Sequence, residues 1–119
     1  MPIPNADSAF VSPEKLSSYL LNLAHPVGGP KARWFISVGY DPDDPDQLEA
    51  DLLGIVRGGS DFVVEDTRFG VTYAVMGPVT CPNGQRITLR TVWIAESRER
   101  APRLVTAYPD QATEDERTR

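Results

Sequence analysis

The sequence has little of the residue types that build metal or disulfide sites. It contains one cysteine, Cys81, and one histidine, His25, among 119 residues. A single cysteine excludes an internal disulfide framework, and these two residues alone give no zinc cluster of the usual spacing. Cys81 precedes Pro82, Asn83 and Gly84, a turn sequence that favours a structural position at a strand edge. We therefore expect no metal and no cofactor.

Long apolar runs are also missing. No run approaches the roughly 20 residues that a helix needs to span a bilayer. Residues 1–5 lack the charged and apolar regions of a secretion signal. We therefore expect a soluble, cytoplasmic protein without a membrane partner.

An excess of basic residues is absent, because the formal net charge is -5. This charge disfavours sequence-independent coating of nucleic acid, although it allows a small local basic pocket. The acidic segment 41–46 lacks the glycine-kinked spacing of a calcium loop and is expected to be solvated. Neither a Gly-x-Ser-x-Gly elbow nor a phosphate-binding P-loop occurs, so serine-hydrolase and P-loop chemistry have no local support.

The hydrophobic pattern predicts an α+β fold in which N-terminal helices pack on a four-stranded, mainly antiparallel sheet. Ser12 and Pro13 begin the first helix, and an apolar stripe follows at helical spacing. The stripe consists of Leu16, Tyr19, Leu20 and Leu23. Further helices are predicted at 30–38 and 46–57, and strands at 61–66, 71–79, 86–95 and 103–108, with a hairpin turn at Asn83-Gly84. Residues 1–109 are expected to form one globular domain, and residues 110–119 a disordered polar tail.

His25 and Lys31 are the first candidates for chemistry. His25 is predicted on a loop between two helices, where it can transfer a proton near neutral pH. Lys31 lies in the opening turn of the next helix, where a cation opposes the helix dipole unless an anion binds there. The alternatives are that His25 caps the first helix or bonds a backbone carbonyl, and that Lys31 is a solvated surface lysine.

The second candidates lie on the predicted sheet. Arg90 is in the middle of the third strand, and its planar guanidinium suits a phosphate. Thr106 and Tyr108 share one face of the fourth strand with Leu104, so their hydroxyl groups are expected to donate to the same phosphate. The alternatives are a solvated sheet face for Arg90 and cross-strand packing for Thr106 and Tyr108. Trp34 and Trp93 are assigned to the core.

Two motifs carry a resemblance to a known family. They are His25-Pro26-Val27-Gly28-Gly29-Pro30-Lys31 and Arg103-Leu104-Val105-Thr106-Ala107-Tyr108-Pro109, supported by segments 4–6, 15–22, 77–78, 81–84 and 90–94. Together these segments resemble a small uncharacterised bacterial domain family, found alone and at the C-termini of polymorphic toxins. Its helices-then-sheet order is similar to that of the ribonuclease superfamily of barnase, EndoU, colicins and RelE.

The resemblance implies a metal-independent endoribonuclease of toxin type that acts on RNA and has a cognate antitoxin or immunity protein as its partner. It implies His25, Lys31, Arg90, Thr106 and Tyr108 as catalytic positions, with His25 moving the proton. The acidic charge and the single histidine depart from the usual ribonuclease pattern. The alternative is a non-catalytic interaction module resembling an antitoxin or immunity protein. Convergence of the candidate side chains in one cleft would distinguish the two functions.

Overall fold

The computed structural model of the chain describes residues 2–26, 29–59 and 61–110. In this part of the chain three helices precede four strands, which confirms the predicted α+β class. The helices are α1 (Pro13–Lys15), continued by the π-helical segment Leu16–Leu20, α2 (Gly29–Ser37) and α3 (Pro45–Gly58). The strands are β1 (Asp61–Thr67), β2 (Gly70–Thr80), β3 (Arg86–Ala95) and β4 (Arg103–Pro109). Of the predicted tail, residues 111–119 lie outside the described residues.

The four strands form one antiparallel sheet in the order β1-β2-β3-β4. Each strand pairs with its neighbour in sequence, as short connections between antiparallel strands dictate. The predicted turn at Asn83-Gly84 is confirmed: Gly84 has a φ of 93° and its amide donates to the carbonyl of Cys81 at 2.8 Å. A residue other than glycine is strained at that φ.

The core lies between the helices and one face of the sheet. Leu89 and Trp93 of β3 are fully buried, and so are Leu48 and Leu52 of α3. Trp34 is only partly buried and packs against this core. Burial alternates along β3, whose odd-numbered residues from Leu89 to Ala95 face the helices.

Among the described residues, Thr91 is the one polar residue that is fully buried in this core, and its hydroxyl group is hydrogen-bonded. The hydroxyl of Thr91 donates to the carbonyl of Val75 at 2.8 Å and accepts the indole N–H of Trp93 at 2.8 Å. These bonds tie β3 to β2 beneath the helices. Burial of the Thr91 hydroxyl is tolerated because it is hydrogen-bonded to the carbonyl of Val75 and to the indole N–H of Trp93, which are themselves polar groups that need a hydrogen-bond partner.

The first helix differs from the prediction. Its end is π-helical, with the amide of Leu21 donating to the carbonyl of Leu16 at 2.9 Å. The helix ends at Leu20, so Leu20 and Leu21 are the last buried leucines of the predicted helix and Leu23 lies in the turn beyond it. Leu23 is 58% exposed, and its predicted place in the core stripe is wrong.

The fourth strand also departs from strict alternation. Leu104 lies opposite Trp93, whereas Ala107 lies opposite Thr91, so β4 carries one extra residue at a bulge. Leu104 and Ala107 are both buried and face the core. Thr106 therefore does not share the face of Leu104, contrary to the prediction, because a bulge shifts the side chains that follow it.

The two edges of the sheet differ in how they are covered. The N-terminal segment lies along β4: the amide of Phe10 donates to the carbonyl of Pro102, and the amide of Leu104 donates to that of Phe10, each at 3.1 Å. At the other edge, β1 exposes most of its side chains, including Val63 at 56%. The covered edge is the one that carries the candidate site.

Candidate functional site

Three of the predicted residues meet around the side chain of Tyr19. The hydroxyl groups of Tyr19 and Thr106 are 3.2 Å apart and share a hydrogen bond. The ring of His25 lies edge-on to the Tyr19 ring, with centroids 5.0 Å apart. The ammonium of Lys31 lies 5.6 Å from the Tyr19 centroid. We call this group, with Lys15, the Tyr19 cluster.

Lys15 joins the cluster from the same helix as Tyr19. Its ammonium lies 4.8 Å from the centre of the Tyr19 ring, a distance typical of a cation–π contact. The two residues are four positions apart, so they lie on one face of the helix. Ser12 fixes the start of this helix, because its hydroxyl accepts the amide of Lys15 at 3.3 Å.

The backbone holds His25 beside the cluster. Asn22 organises the turn before it: its side-chain carbonyl accepts the amide of Ala24 at 3.0 Å, and its backbone carbonyl accepts the amide of His25 at 3.2 Å. The amide of Gly29 then donates to the carbonyl of His25 at 2.8 Å. A Cβ at Gly29 would lie 2.7 Å from the carbonyl oxygen of Leu23, so only glycine fits this close approach.

Lys31 comes from the opening turn of α2, as predicted. No acidic residue lies in that turn, so no neighbour within the turn neutralises the lysine. Gly28, the other glycine of the predicted turn, lies outside the described residues. Lys31 from α2 and Lys15 from α1 therefore both place a positive charge near the ring of Tyr19.

The cluster changes the acidity of the phenol. Partial burial alone raises the pKa of Tyr19, but the hydrogen bonds of Thr106 and Lys31 and the charges of Lys31 and Lys15 outweigh it. The pKa of Tyr19 therefore lies below its ordinary value of 10.0. Positive charge and hydrogen bonds that favour the phenolate are the physical causes.

The arrangement suits an anionic oxygen ligand and proton transfer. Two ammonium groups supply positive charge, and the phenol and the hydroxyl of Thr106 supply hydrogen bonds. The imidazole of His25 stands beside the tyrosine ring as a group able to donate or accept a proton. Phosphate esters need this combination of charge stabilisation and proton transfer.

Arg90 and Tyr108 lie farther along the sheet. They face each other on β3 and β4, and Tyr108 is two residues beyond Thr106, so the three share the face turned away from the core. The guanidinium of Arg90 reaches toward β2, with Nη1 3.7 Å from the sulfur of Met76. His25, Lys31 and Thr106 are thus in the Tyr19 cluster, whereas Arg90 and Tyr108 form a separate cross-strand pair farther along β3 and β4.

Tyr19 and Lys15 are the residues that sequence reasoning missed. Tyr19 was assigned to the apolar stripe, where it does pack against the core, although only in part. A usable signal was present: Lys15 stands one turn before Tyr19 on a helix that leads directly to His25. A tyrosine flanked in this way has its ring in the core and its hydroxyl at the surface.

A groove of about 480 Å³ lies away from the cluster, between the end of α3 and strands β1 to β3. Glycines and apolar side chains dominate its lining, and Asp61 is the one ionisable group among its described lining residues. Catalytic sites usually combine several titratable groups. The Tyr19 cluster meets that condition and the groove does not.

Few side chains in the described parts of the chain are suited to metal binding or to thiol chemistry. No group of three or more His, Cys, Asp or Glu side chains capable of holding a metal occurs there. Cys81 is buried, and burial raises the pKa of its thiol. No helix within residues 2–26, 29–59 and 61–110 has the length and apolar character to cross a membrane.

The fold and the cluster define an α+β domain with a cationic site built around a tyrosine. The chain belongs to the family described as "Domain of unknown function (DUF6883)", which matches residues 2–111. This bears out the resemblance to an uncharacterised domain family; membership of the ribonuclease superfamily stays a prediction. No curated protein matches the chain.

A solved structure shares the fold. It is a chain of a contact-dependent growth inhibition toxin–immunity protein complex from Klebsiella pneumoniae 342, with a TM-score of 0.67. The similarity covers 88% of this chain and 96% of that chain, at 12% sequence identity. At this identity the likeness shows the fold alone, and the fold occurs in a toxin–immunity assembly.

Proposed function

We propose that this domain is a toxin-type, metal-independent endoribonuclease. The observation that carries the proposal is the convergence of His25, Lys31 and Thr106 on the phenol of Tyr19. These three residues come from a loop, a helix and a strand that are far apart in sequence. Surface residues with only solvating roles have no physical reason to meet around one tyrosine side chain.

The proposed reaction cleaves the RNA backbone through the neighbouring 2′-hydroxyl. The 2′-oxygen attacks phosphorus as its proton passes to His25, and the bond to the 5′-oxygen breaks. Lys31 and Lys15 stabilise the added negative charge of the phosphorane, and Thr106 holds the hydroxyl of Tyr19 in place through their shared hydrogen bond. The products are a 2′,3′-cyclic phosphate and a 5′-hydroxyl, so no metal-bound water is required.

Arg90 and Tyr108 extend the proposed RNA site along the sheet. They lie one step beyond Thr106 on the face turned away from the core. An arginine there suits the phosphate of an adjacent nucleotide, and a tyrosine suits stacking on its base. The negative net charge confines attraction for RNA to this local surface.

A cognate immunity protein is the proposed protein partner. The support is that a neighbour in fold is part of a toxin–immunity protein complex. A domain that cleaves cellular RNA must be held inactive in the cell that makes it. We propose that the partner acts by blocking access of RNA to the Tyr19 cluster.

The test is cleavage of total RNA and tRNA by the purified chain in EDTA. We expect 2′,3′-cyclic phosphate ends, and a loss of about 10²-fold or more for His25→Ala and for Lys31→Met. Arg33→Met is the matched control, because Arg33 is an exposed cation two residues farther along α2. Its loss should leave the rate within about threefold, as expected for a solvated charge.

An absence of cleavage by the folded wild-type chain on every RNA would overturn the proposal. The interaction module would then be the function to pursue, by capture of a partner on the immobilised chain. Equal losses for Lys31→Met and Arg33→Met would also count against the site. In that case general electrostatic attraction, and not the cluster, would carry the activity.

A further inference from the structure

Tyr19 is the central group of the cluster, yet the reaction proposed above gives it no chemical step. Its side chain is contacted by Lys15, His25, Lys31 and Thr106. A ring placed there only for packing needs no hydroxyl partners. The hydroxyl of Tyr19 is instead hydrogen-bonded to Thr106, and the ammonium groups of Lys15 and Lys31 lie beside its ring.

Cleavage of a phosphodiester needs two proton transfers, one from the 2′-hydroxyl and one to the 5′-oxygen. The chain has a single histidine, so one imidazole must do both or a second group must share the work. A phenol keeps its proton at neutral pH, as a general acid requires. Tyr19 is the titratable group whose ring touches that of His25.

We propose that Tyr19 is the general acid that protonates the leaving 5′-oxygen, with His25 as the base. This inference rests on the proposed ribonuclease function and deepens it. The 2′-oxygen forms its bond to phosphorus while His25 takes the 2′-proton. The bond from phosphorus to the 5′-oxygen breaks while that oxygen takes the phenolic proton of Tyr19. Exchange with water then returns a proton to Tyr19 and removes one from His25.

The surroundings of Tyr19 fit this step. The phenolate left after proton transfer is stabilised by the ammonium of Lys31 and by the hydroxyl of Thr106. The same interactions lower the pKa of Tyr19, which brings the acid closer to the pH at which it works. Thr106 is thus a positioning residue that acts through Tyr19.

Two substrates distinguish an acid from a structural tyrosine. Uridylyl-adenosine has a poor leaving group that needs a proton, whereas uridine 3′-(4-nitrophenyl phosphate) releases a stable phenolate that needs none. We expect Tyr19→Phe to lower kcat on the dinucleotide by about 10²–10⁴-fold and to stay within about threefold of wild type on the nitrophenyl ester. Tyr73→Phe is the matched control and should match wild type on both substrates.

Thr106→Val supplies a second, independent measurement. It keeps the phenol but removes a hydrogen bond that lowers its pKa. The alkaline limb of the pH–rate profile on the dinucleotide should therefore move to higher pH. A purely structural role for Thr106 would lower the rate without moving that limb.

The outcomes separate this inference from the proposed function. If the wild type cleaves the dinucleotide and Tyr19→Phe cleaves it equally fast, Tyr19 is not the acid. The same conclusion follows if Tyr19→Phe loses the same factor in kcat on both substrates. In either case the proposed ribonuclease function is retained. If the folded wild type cleaves neither substrate nor any RNA, both proposals fall. Selective loss on the dinucleotide together with the shifted limb supports both.

Discussion

Two tyrosines, one toward each edge of the sheet, show how surroundings decide what a phenol can do. Tyr19, near β4, is partly exposed and bonded to Thr106, with two lysines beside it. Tyr73 on β2, opposite Val64 of β1, is 1% exposed, and its hydroxyl has no hydrogen-bond partner among the described residues. The same side chain is a polar centre in one place and a packing element in the other.

The charged groups near the two phenols differ: those near Tyr19 are both lysines, whereas those near Tyr73 are of mixed sign. Burial raises the pKa of Tyr73, and Asp66 and Glu99 raise it further against the opposing effect of Arg98. Burial also raises the pKa of Tyr19, but the lysines and hydrogen bonds reverse the result. The β4 side is therefore built for a negative oxygen and the β1 side is not.

The largest expected effect tests whether the β4 side depends on close packing more than the β1 edge does. Leu20, next to Tyr19, is fully buried, whereas Val63 of β1 is 56% exposed. Leu20→Ala should lower the free energy of unfolding by about 2–5 kcal/mol, through lost burial and a cavity. Val63→Ala should change it by no more than about 0.5 kcal/mol. Urea unfolding measures both, and similar losses would break the contrast.

Smaller effects are expected at the two tyrosines themselves, and they should be opposite in sign to each other. Tyr19→Phe should lower the free energy of unfolding by about 0.5–1.5 kcal/mol, because it removes the hydrogen bond to Thr106. Tyr73→Phe should raise it by about 1 kcal/mol, because it removes a buried hydroxyl that lacks a partner. Thermal and urea unfolding at neutral pH check both signs. Destabilisation by Tyr73→Phe would mean that its hydroxyl does have a partner.

The smallest expected effect is a change with pH in the stability of wild type relative to Tyr19→Phe and to Tyr73→Phe. The pKa of Tyr19 is lower in the folded chain than its ordinary value of 10.0, so between these values the unfolded chain binds more protons. The stability of wild type over Tyr19→Phe should therefore grow as pH rises toward 10. For Tyr73 the folded pKa is raised, so wild type should lose stability relative to Tyr73→Phe as pH rises above 10. Unfolding midpoints across that range test the two slopes.

Much of the fold was readable from the sequence because helical and alternating patterns follow one another along the chain. The span of β3 and the turn at Asn83-Gly84 are as predicted. The errors fall where backbone hydrogen bonding departs from regular geometry. The π-helical end of α1 exposes Leu23, and the bulge in β4 separates Thr106 from Leu104. Neither irregularity leaves a periodic signal.

The candidate site was readable only in part. The loop position of His25 and the charge of Lys31 are local features, and both residues are in the cluster. Tyr19 was missed because an aromatic residue at helical spacing reads as core, and its contact with Thr106 joins residues 87 positions apart. No spacing rule links a helix near the start of a chain to its last strand.

The π-helical turn at Leu16–Leu20 also sets a rule about chain length. Each helical residue turns the chain by about 100°. Deleting Ser17 or Ser18 to restore an α-helix would rotate Tyr19 relative to Lys15 and aim its hydroxyl away from Thr106. Serines at these positions can be exchanged for other residues at little cost, but their number cannot change. The number of residues in this segment therefore matters more for the direction of the Tyr19 side chain than the identity of the residues.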